Sequence, residues 1–368
     1  MSLMTIGMLV AGLELLVVGG EFLVRGASRL AAVLGISPLV IGLTVVAFGT
    51  SSPELAVSLQ AGLGGNPDIA VANVVGSNIF NVLFILGLCA VILPLVVSVQ
   101  LIRLDVPIMI GSSVLLFALI GFDQKLQWFD GILLFGLLVA YTAWAIIKSR
   151  QETAAAKAEY SQEFGEAPLK VEHNPRFLAM QAVFIVGGLA LLALGARWLV
   201  DSATAIARAF NVSDMIIGLT IVAAGTSLPE VAASVIATLR KERDIAIGNV
   251  VGSNIFNILG ILGISALVTP GGLNVAPAMI SFDIPIMIAV ALACLPIFFT
   301  SMSIARWEGW VFLGSYVAYT AYLVLQATAH DALPMFSNTM LYFVLPLIGL
   351  SIGVTAFQAL RKGQQSAA

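Results

Sequence analysis

Runs of about twenty mostly apolar residues, the length at which a helix crosses the hydrocarbon of a bilayer, recur along the chain with polar breaks between them. Eleven lie near residues 3–30, 37–62, 69–95, 104–121, 128–148, 177–206, 214–239, 245–268, 277–300, 308–327 and 335–360. The first has no basic head and is too long for a signal peptide, so it is expected to stay as a membrane helix. One polar stretch exceeds a turn: Lys148 to Arg176, rich in Ala, Glu, Gln and Lys, reads as a linker with room for a short surface helix.

Composition agrees with that pattern. Hydrophobic residues make up 60% of the chain and charged ones 10%, and the mean hydropathy is +1.03, which together indicate an all-α polytopic membrane protein embedded in the lipid bilayer. There is no nucleic-acid footprint, and no protein partner is implied. Cys89 and Cys294 lie in separate apolar runs and suit packing better than a disulfide. His173 and His330 fall in polar connections, so histidine catalysis or zinc chemistry inside the membrane is unsupported.

The two sides of the linker are copies. From Gly19 to about Gly87 an offset of 176 finds the matching residue, Gly42 on Gly218, Glu54 on Glu230, Asp68 on Asp244 and Gly76 on Gly252. Further on the offset is 178, matching Asp105-Val106-Pro107-Ile108-Met109-Ile110 to Asp283-Ile284-Pro285-Ile286-Met287-Ile288, and Val139-Ala140-Tyr141-Thr142 to Val317-Ala318-Tyr319-Thr320. The expected organisation is a first five-helix repeat over 1–148, a cytoplasmic linker at 149–176, a second repeat over 177–327, and an extra transmembrane helix with a short tail at 328–368. Motif-bearing segments occupy about 37–90 and 213–266. Five is odd, so the second repeat enters from the opposite face and the repeats are inverted. Arg25, Arg29, Arg103, the linker's Lys148, Arg150, Lys157, Lys170 and Arg176, then Arg240, Lys241, Arg243, Arg306, Arg361 and Lys362 share one side, against Lys125 and Arg208 on the other. The positive-inside rule therefore puts linker and C-terminus in the cytoplasm and the N-terminus outside.

Within each repeat an apolar run is interrupted by Gly49-Thr50-Ser51-Ser52-Pro53-Glu54 and its copy Gly225-Thr226-Ser227-Leu228-Pro229-Glu230. The proline has no N–H to give the residue four earlier, so carbonyls near Gly49 and Gly225 are released. Thr50, Ser51 and Glu54 converge on one helix face as hard oxygen ligands of the kind sodium and calcium prefer. A second helix follows, Asn73-Val74-Val75-Gly76-Ser77-Asn78-Ile79-Phe80-Asn81, repeated as Asn249-Val250-Val251-Gly252-Ser253-Asn254-Ile255-Phe256-Asn257. Set against a duplicated intramembrane glutamate, Ser77, Asn81, Ser253 and Asn257 read as cation ligands. Asn73, Asn78, Asn249 and Asn254 read as structural amides between helices, with Gly76 and Gly252 as close-packing points. Asp105 and Asp283, two positions before Pro107 and Pro285, read as helix N-caps. Glu21 and Arg25 are spaced to pair along the first helix, and Glu14 has no sequence partner.

The doubled Gly-Thr-Ser-x-Pro-Glu and Gly-Ser-Asn-Ile-Phe-Asn motifs resemble the two alpha-repeats of the calcium/cation antiporter superfamily, in its prokaryotic sodium/calcium exchanger branch. The resemblance implies a secondary antiporter whose inner hairpins hold the ions while the first helix of each repeat slides. By motif it carries ligand roles onto Thr50, Ser51, Glu54, Ser77 and Asn81, and onto Thr226, Ser227, Glu230 and Ser253, with the carbonyls of Ala47 and Ala223 contributing. Members of that branch often have an aspartate where this chain has Asn81 or Asn257. Two carboxylates alone give the site a formal charge of −2, which balances one calcium or two sodium ions. The proton-coupled branch usually shows Gly-Asn-x-x-Glu instead.

The expected activity is sodium/calcium exchange in a bacterial or archaeal inner membrane, with no covalent chemistry and no organic cofactor. Its rivals are proton/calcium or other divalent-cation exchange on the same fold, a cation channel, and an intramembrane hydrolase. The hydrolase lacks a base beside its serines and threonines.

Overall fold

The computed structural model describes residues 3–121, 123–164, 175–210, 212, 214–217, 220–221, 223–351 and 353. Lys170, His173, Gly218, Arg361 and Lys362 lie outside the described residues. In the first half the helices are α1 Leu3–Leu34, α2 Pro38–Thr50, α3 Ser52–Leu63, α4 Pro67–Ile92, α5 Leu101–Ile120 and α6 Trp128–Phe164. The second half has α7 Pro175–Ala209, the short pieces α8 Asp214–Ile217 and α9 Ala223–Gly225, then α10 Leu228–Leu239, α11 Arg243–Val268, α12 Met279–Phe299, α13 Arg306–Ala327 and α14 Leu333–Ser351.

Nine described helices are long and apolar enough to cross a membrane, or ten if α2 and α3, bent by 45°, count as one span. The sequence suggests eleven, and the difference lies at 214–239, where the described helical pieces are each shorter than a crossing. Pro53 and Pro229 sit in the first turn of α3 and α10, where a missing N–H costs nothing, and so fix where each new helix begins. Past the expected end at residue 148, α6 continues to Phe164, because Ala, Glu, Gln and Lys without Gly or Pro are strong helix formers.

Two-residue strands display the internal symmetry. Leu95–Val96 (β1) pairs with Ser303–Ile304 (β4), and Lys125–Leu126 (β2) pairs with Leu273–Asn274 (β3). Adding 178 to Leu95 and Leu126 gives Leu273 and Ile304, so each pair is the image of the other and the repeats are related by a two-fold. The most enclosed spans, α4 and α11, lie at the centre. Outside them α1 packs along α7 antiparallel at glycines: a Cβ on Gly12 would stand 3.0 Å from the Gly195 carbonyl, and one on Gly188 2.7 Å from that of Gly19. No described residue of α14 is buried. Cys89 and Cys294 are free and buried, packing as small apolar side chains.

Two local expectations are corrected. Asp105 and Asp283 do not cap: each stands at the end of a π-helical turn, Leu101–Asp105 and Met279–Asp283, that already supplies carbonyls to the following N–H groups. Their carboxylates instead accept the Tyr141 hydroxyl at 2.9 Å and the Tyr319 hydroxyl at 2.8 Å, and Asp105 also takes the Gln100 amide at 3.3 Å. Glu21 does not pair with Arg25 either, because close packing of α1 on α10 brings Arg240 to it. Arg25 lies over the Phe184 ring at 5.7 Å.

Candidate ion-binding site

The two proline-broken hairpins meet in the middle of the bundle, and their polar side chains cross from one repeat to the other. Ser51 stands between α2 and α3, at the break, and its hydroxyl donates to Oε1 of Glu230 at 2.8 Å. Ser227, at the equivalent break before α10, donates to Oε1 of Glu54 at 2.8 Å. The Ser227 hydroxyl is also 3.3 Å from that of Ser77 on α4. Both glutamates are shut off from solvent, at 0% and 1% exposure, and Oε2 of each has no hydrogen-bond partner. An isolated carboxylate oxygen in such an enclosure is expensive unless a cation or a proton meets it.

On the segments that pack against α3 and α10, and at the break before α10, further buried oxygens lack partners. Oδ1 of Asn81, Oδ1 of Asn257, and the hydroxyls of Thr226 and Ser253 are buried without partners. Asn81 and Asn257 each open a π-helical turn, Asn81–Leu86 and Asn257–Leu262. Such a turn shifts the helix register locally and recurs at functional sites. Thr50 donates to Oδ1 of Asn249 at 3.1 Å and lies 3.4 Å from the Ala47 carbonyl, which also takes the Ser51 N–H at 3.0 Å. Ala223 opens α9. Bonds therefore join Thr50, Ser51, Glu54, Ser77, Ser227 and Glu230 across the repeats, while Thr226 and Ser253 contribute free hydroxyl oxygens. The set is hard oxygen throughout, the donor chemistry of sodium and calcium, with a formal charge of −2 from its two carboxylates.

Asn73 and Asn249 hold helices together as expected, and the serines they hold, Ser58 and Ser234, escaped the sequence reading. Asn73 donates to the Glu54 carbonyl at 3.2 Å and to Ser58 at 3.1 Å, and Asn249 donates to the Glu230 carbonyl at 3.4 Å and to Ser234 at 2.9 Å. Each serine lies one helical turn past its glutamate in both copies, a spacing that could have flagged it. Asn78 and Asn254 join each other across the two-fold.

Comparison with known proteins follows the same geometry. A model of the family described as sodium/calcium exchanger protein matches residues 4–147 and 180–325, one block per repeat. The inner membrane protein YrbG of Escherichia coli is 37% identical over 292 residues, 79% of this chain and 87% of that protein. The sodium/calcium exchanger MaX1 of Methanosarcina acetivorans is 34% identical over 342 residues, 86% of this chain and 97% of its own. A solved structure of the sodium-calcium exchanger NCX_Mj superposes with a TM-score of 0.73 at 32% identity, covering 88% of this chain and all of that one (100%).

Proposed function

The chain belongs to the sodium/calcium exchanger protein family, an integral-membrane family of transporters rather than enzymes, and from that membership we propose that it exchanges sodium for calcium across the membrane. The cations bind at one mid-membrane site. Its ligands are the carboxylates of Glu54 and Glu230, the side-chain oxygens of Thr50, Ser51, Ser77, Asn81, Thr226, Ser227, Ser253 and Asn257, and the carbonyls of Ala47 and Ala223. The observation that carries this reading is the pair of buried glutamates, each held at one oxygen by the serine of the opposite repeat and bare at the other. A charge of −2 is balanced by one calcium or by two sodium ions, so the ions compete for one site and exchange follows.

Transport proceeds by alternating access. The site opens to one side at a time, with α1 and α7 moving along the central block and bound ions shifting the balance of states. The linker and C-terminus lie in the cytoplasm and the N-terminus outside, in the inner membrane of a prokaryote. In support, β1–β4 pairing gathers the flanks of Arg103 and Arg306 at one end, while β2–β3 pairing leaves Lys125 at the other.

The test is radioactive calcium uptake into proteoliposomes loaded with sodium and diluted into sodium-free buffer, beside potassium-loaded vesicles at matched pH. Uptake should require internal sodium and fall to background in Glu54→Gln and in Glu230→Gln. Uptake driven by a pH gradient and indifferent to sodium would overturn the coupling ion. Uptake with no counter-ion would make the protein a channel.

A further inference from the structure

On the two-fold, four asparagines from the two repeats form a closed set of amide contacts. All are shut off from solvent, at 1% to 2% exposure. Asn81 donates its Nδ2 to Oδ1 of Asn254 at 3.0 Å, and Asn257 donates its Nδ2 to Oδ1 of Asn78 at 3.0 Å. Asn78 and Asn254 then spend their own Nδ2 on each other's main-chain carbonyls, at 3.2 Å and 3.3 Å. Both ends of these two amides are thus engaged, and rotating either one would place oxygen against oxygen.

This fixes which end of Asn81 and Asn257 is free. An asparagine has an oxygen that attracts a cation and an NH2 that repels it, and the two ends have nearly the same shape. One N–H of each Nδ2 is bound to the opposite amide, which fixes the direction of the group, and Oδ1 is the atom of Asn81 and Asn257 that has no partner. We propose that Asn78 and Asn254 are positioning residues that hold the amide nitrogens of Asn257 and Asn81 away from the ion and so turn the amide oxygens onto it. The inference rests on the ion-site reading above. It adds that affinity is set by two residues that do not touch the ion, as outer partners orient ligands in metal sites generally. It also gives the asparagines a reason to act in place of a third carboxylate: the locked amides supply oxygens without adding charge.

The experiment uses the purified full-length protein, with calcium binding followed by calorimetry and uptake followed in proteoliposomes. Asn254→Leu keeps the branched outline, though with bulkier methyl groups, and removes the acceptor, and it should raise the apparent Kd and KM for calcium by about 10- to 100-fold. The decisive variant is Asn81→Asp, made in both the wild-type and the Asn254→Leu backgrounds. A carboxylate has no wrong end, so in the Asn254→Leu background it should recover at least about tenfold in affinity. In the wild-type background it meets Oδ1 of Asn254 and should gain no affinity over the unmodified protein, a coupling that a merely structural Asn254 would not produce. The mirror pair, Asn78→Leu with Asn257→Asp, repeats the test should the first fail to fold. A folded Asn254→Leu with unchanged calcium affinity, or equal effects of Asn81→Asp in both backgrounds, would overturn the positioning role. Normal calcium binding in Glu54→Gln would overturn the ion site itself.

Discussion

Ser51 and Ser227 serve the glutamate of the other repeat, not the one three residues along their own chain. Each bond ends on a carboxylate, and hydrogen bonds to charged groups contribute about 1.5–3 kcal/mol. Ser51→Ala is therefore expected to weaken calcium binding by about tenfold or more, and Ser227→Ala by a similar factor. The crossing gives a sharper expectation. In double-mutant cycles on the calcium Kd, Ser51→Ala should be non-additive with Glu230→Asp and additive with Glu54→Asp. The reverse pattern would mean that the hydroxyls act within their own hairpin. The candidate residues were legible in the sequence, because an ionisable group duplicated inside apolar runs has few structural reasons to exist. Their pairing was not legible. Spacing along one helix shows which side chains share a face, but a contact from Ser51 to Glu230, 179 positions away, depends on how the repeats interlock.

Repeat count and inversion were legible at the level of elements, since an offset kept over dozens of residues and an odd number of spans leave little choice. The π-helical turns were not, because one extra residue in a helical turn changes no hydrophobic periodicity that a reader can see. That is why Asp105 and Asp283 read as caps. The structure makes them anchors for the tyrosine of the next helix, so Tyr141→Phe should cost about 1–3 kcal/mol by leaving a buried carboxylate oxygen without its donor. Thermal unfolding in detergent measures this, and an unchanged transition would show that the bond is replaced. The seam between α1 and α7 gives a second expectation. A Cβ on Gly19 would lie 2.9 Å from the Gly188 carbonyl, whereas one on Gly187 would meet nothing within 4 Å. Gly19→Val should force the helices apart at a cost of about 1–3 kcal/mol and slow uptake, while Gly187→Ala should do neither. Equal effects of the two on melting and on uptake would count against a close-packed seam.

At the scale of the molecule, the two halves agree in their motifs and differ at their rims. Glu21 on α1 pairs with Arg240 at the end of α10, and Ser28 donates to Glu242 at 3.0 Å, beside a cavity of about 430 Å³ lined also by Arg25 and Arg29. Shifting by 176 turns Glu21 into Arg197 and Ser28 into Thr204, and turns Arg240 and Glu242 back into Gly64 and Asn66. Among the described residues this latch has no image between α7 and α3: Arg197 instead lies 3.9 Å from Asp201 of its own helix. If access alternates as proposed, the exchange of conformations between the repeats would take α1 off α10, so a bond between α1 and α10 that has no image between α7 and α3 would be held in only one of the two states. An exposed pair of this kind contributes about 0.2–1 kcal/mol, enough to shift a balanced equilibrium by up to about fivefold. Glu21→Gln or Arg240→Gln should therefore move the population by a few-fold toward the state in which α1 has left α10. A cysteine at Ile236, whose side chain now lies 3.0 Å from where a Cβ on Gly20 would stand, should then be alkylated faster from the basic face. The exchange of charges in Glu21→Arg with Arg240→Glu should restore the slower rate. If all three variants label alike, the rim contact has no hold on the transport cycle, and any preference between the two states must come from the site and the α1–α7 seam.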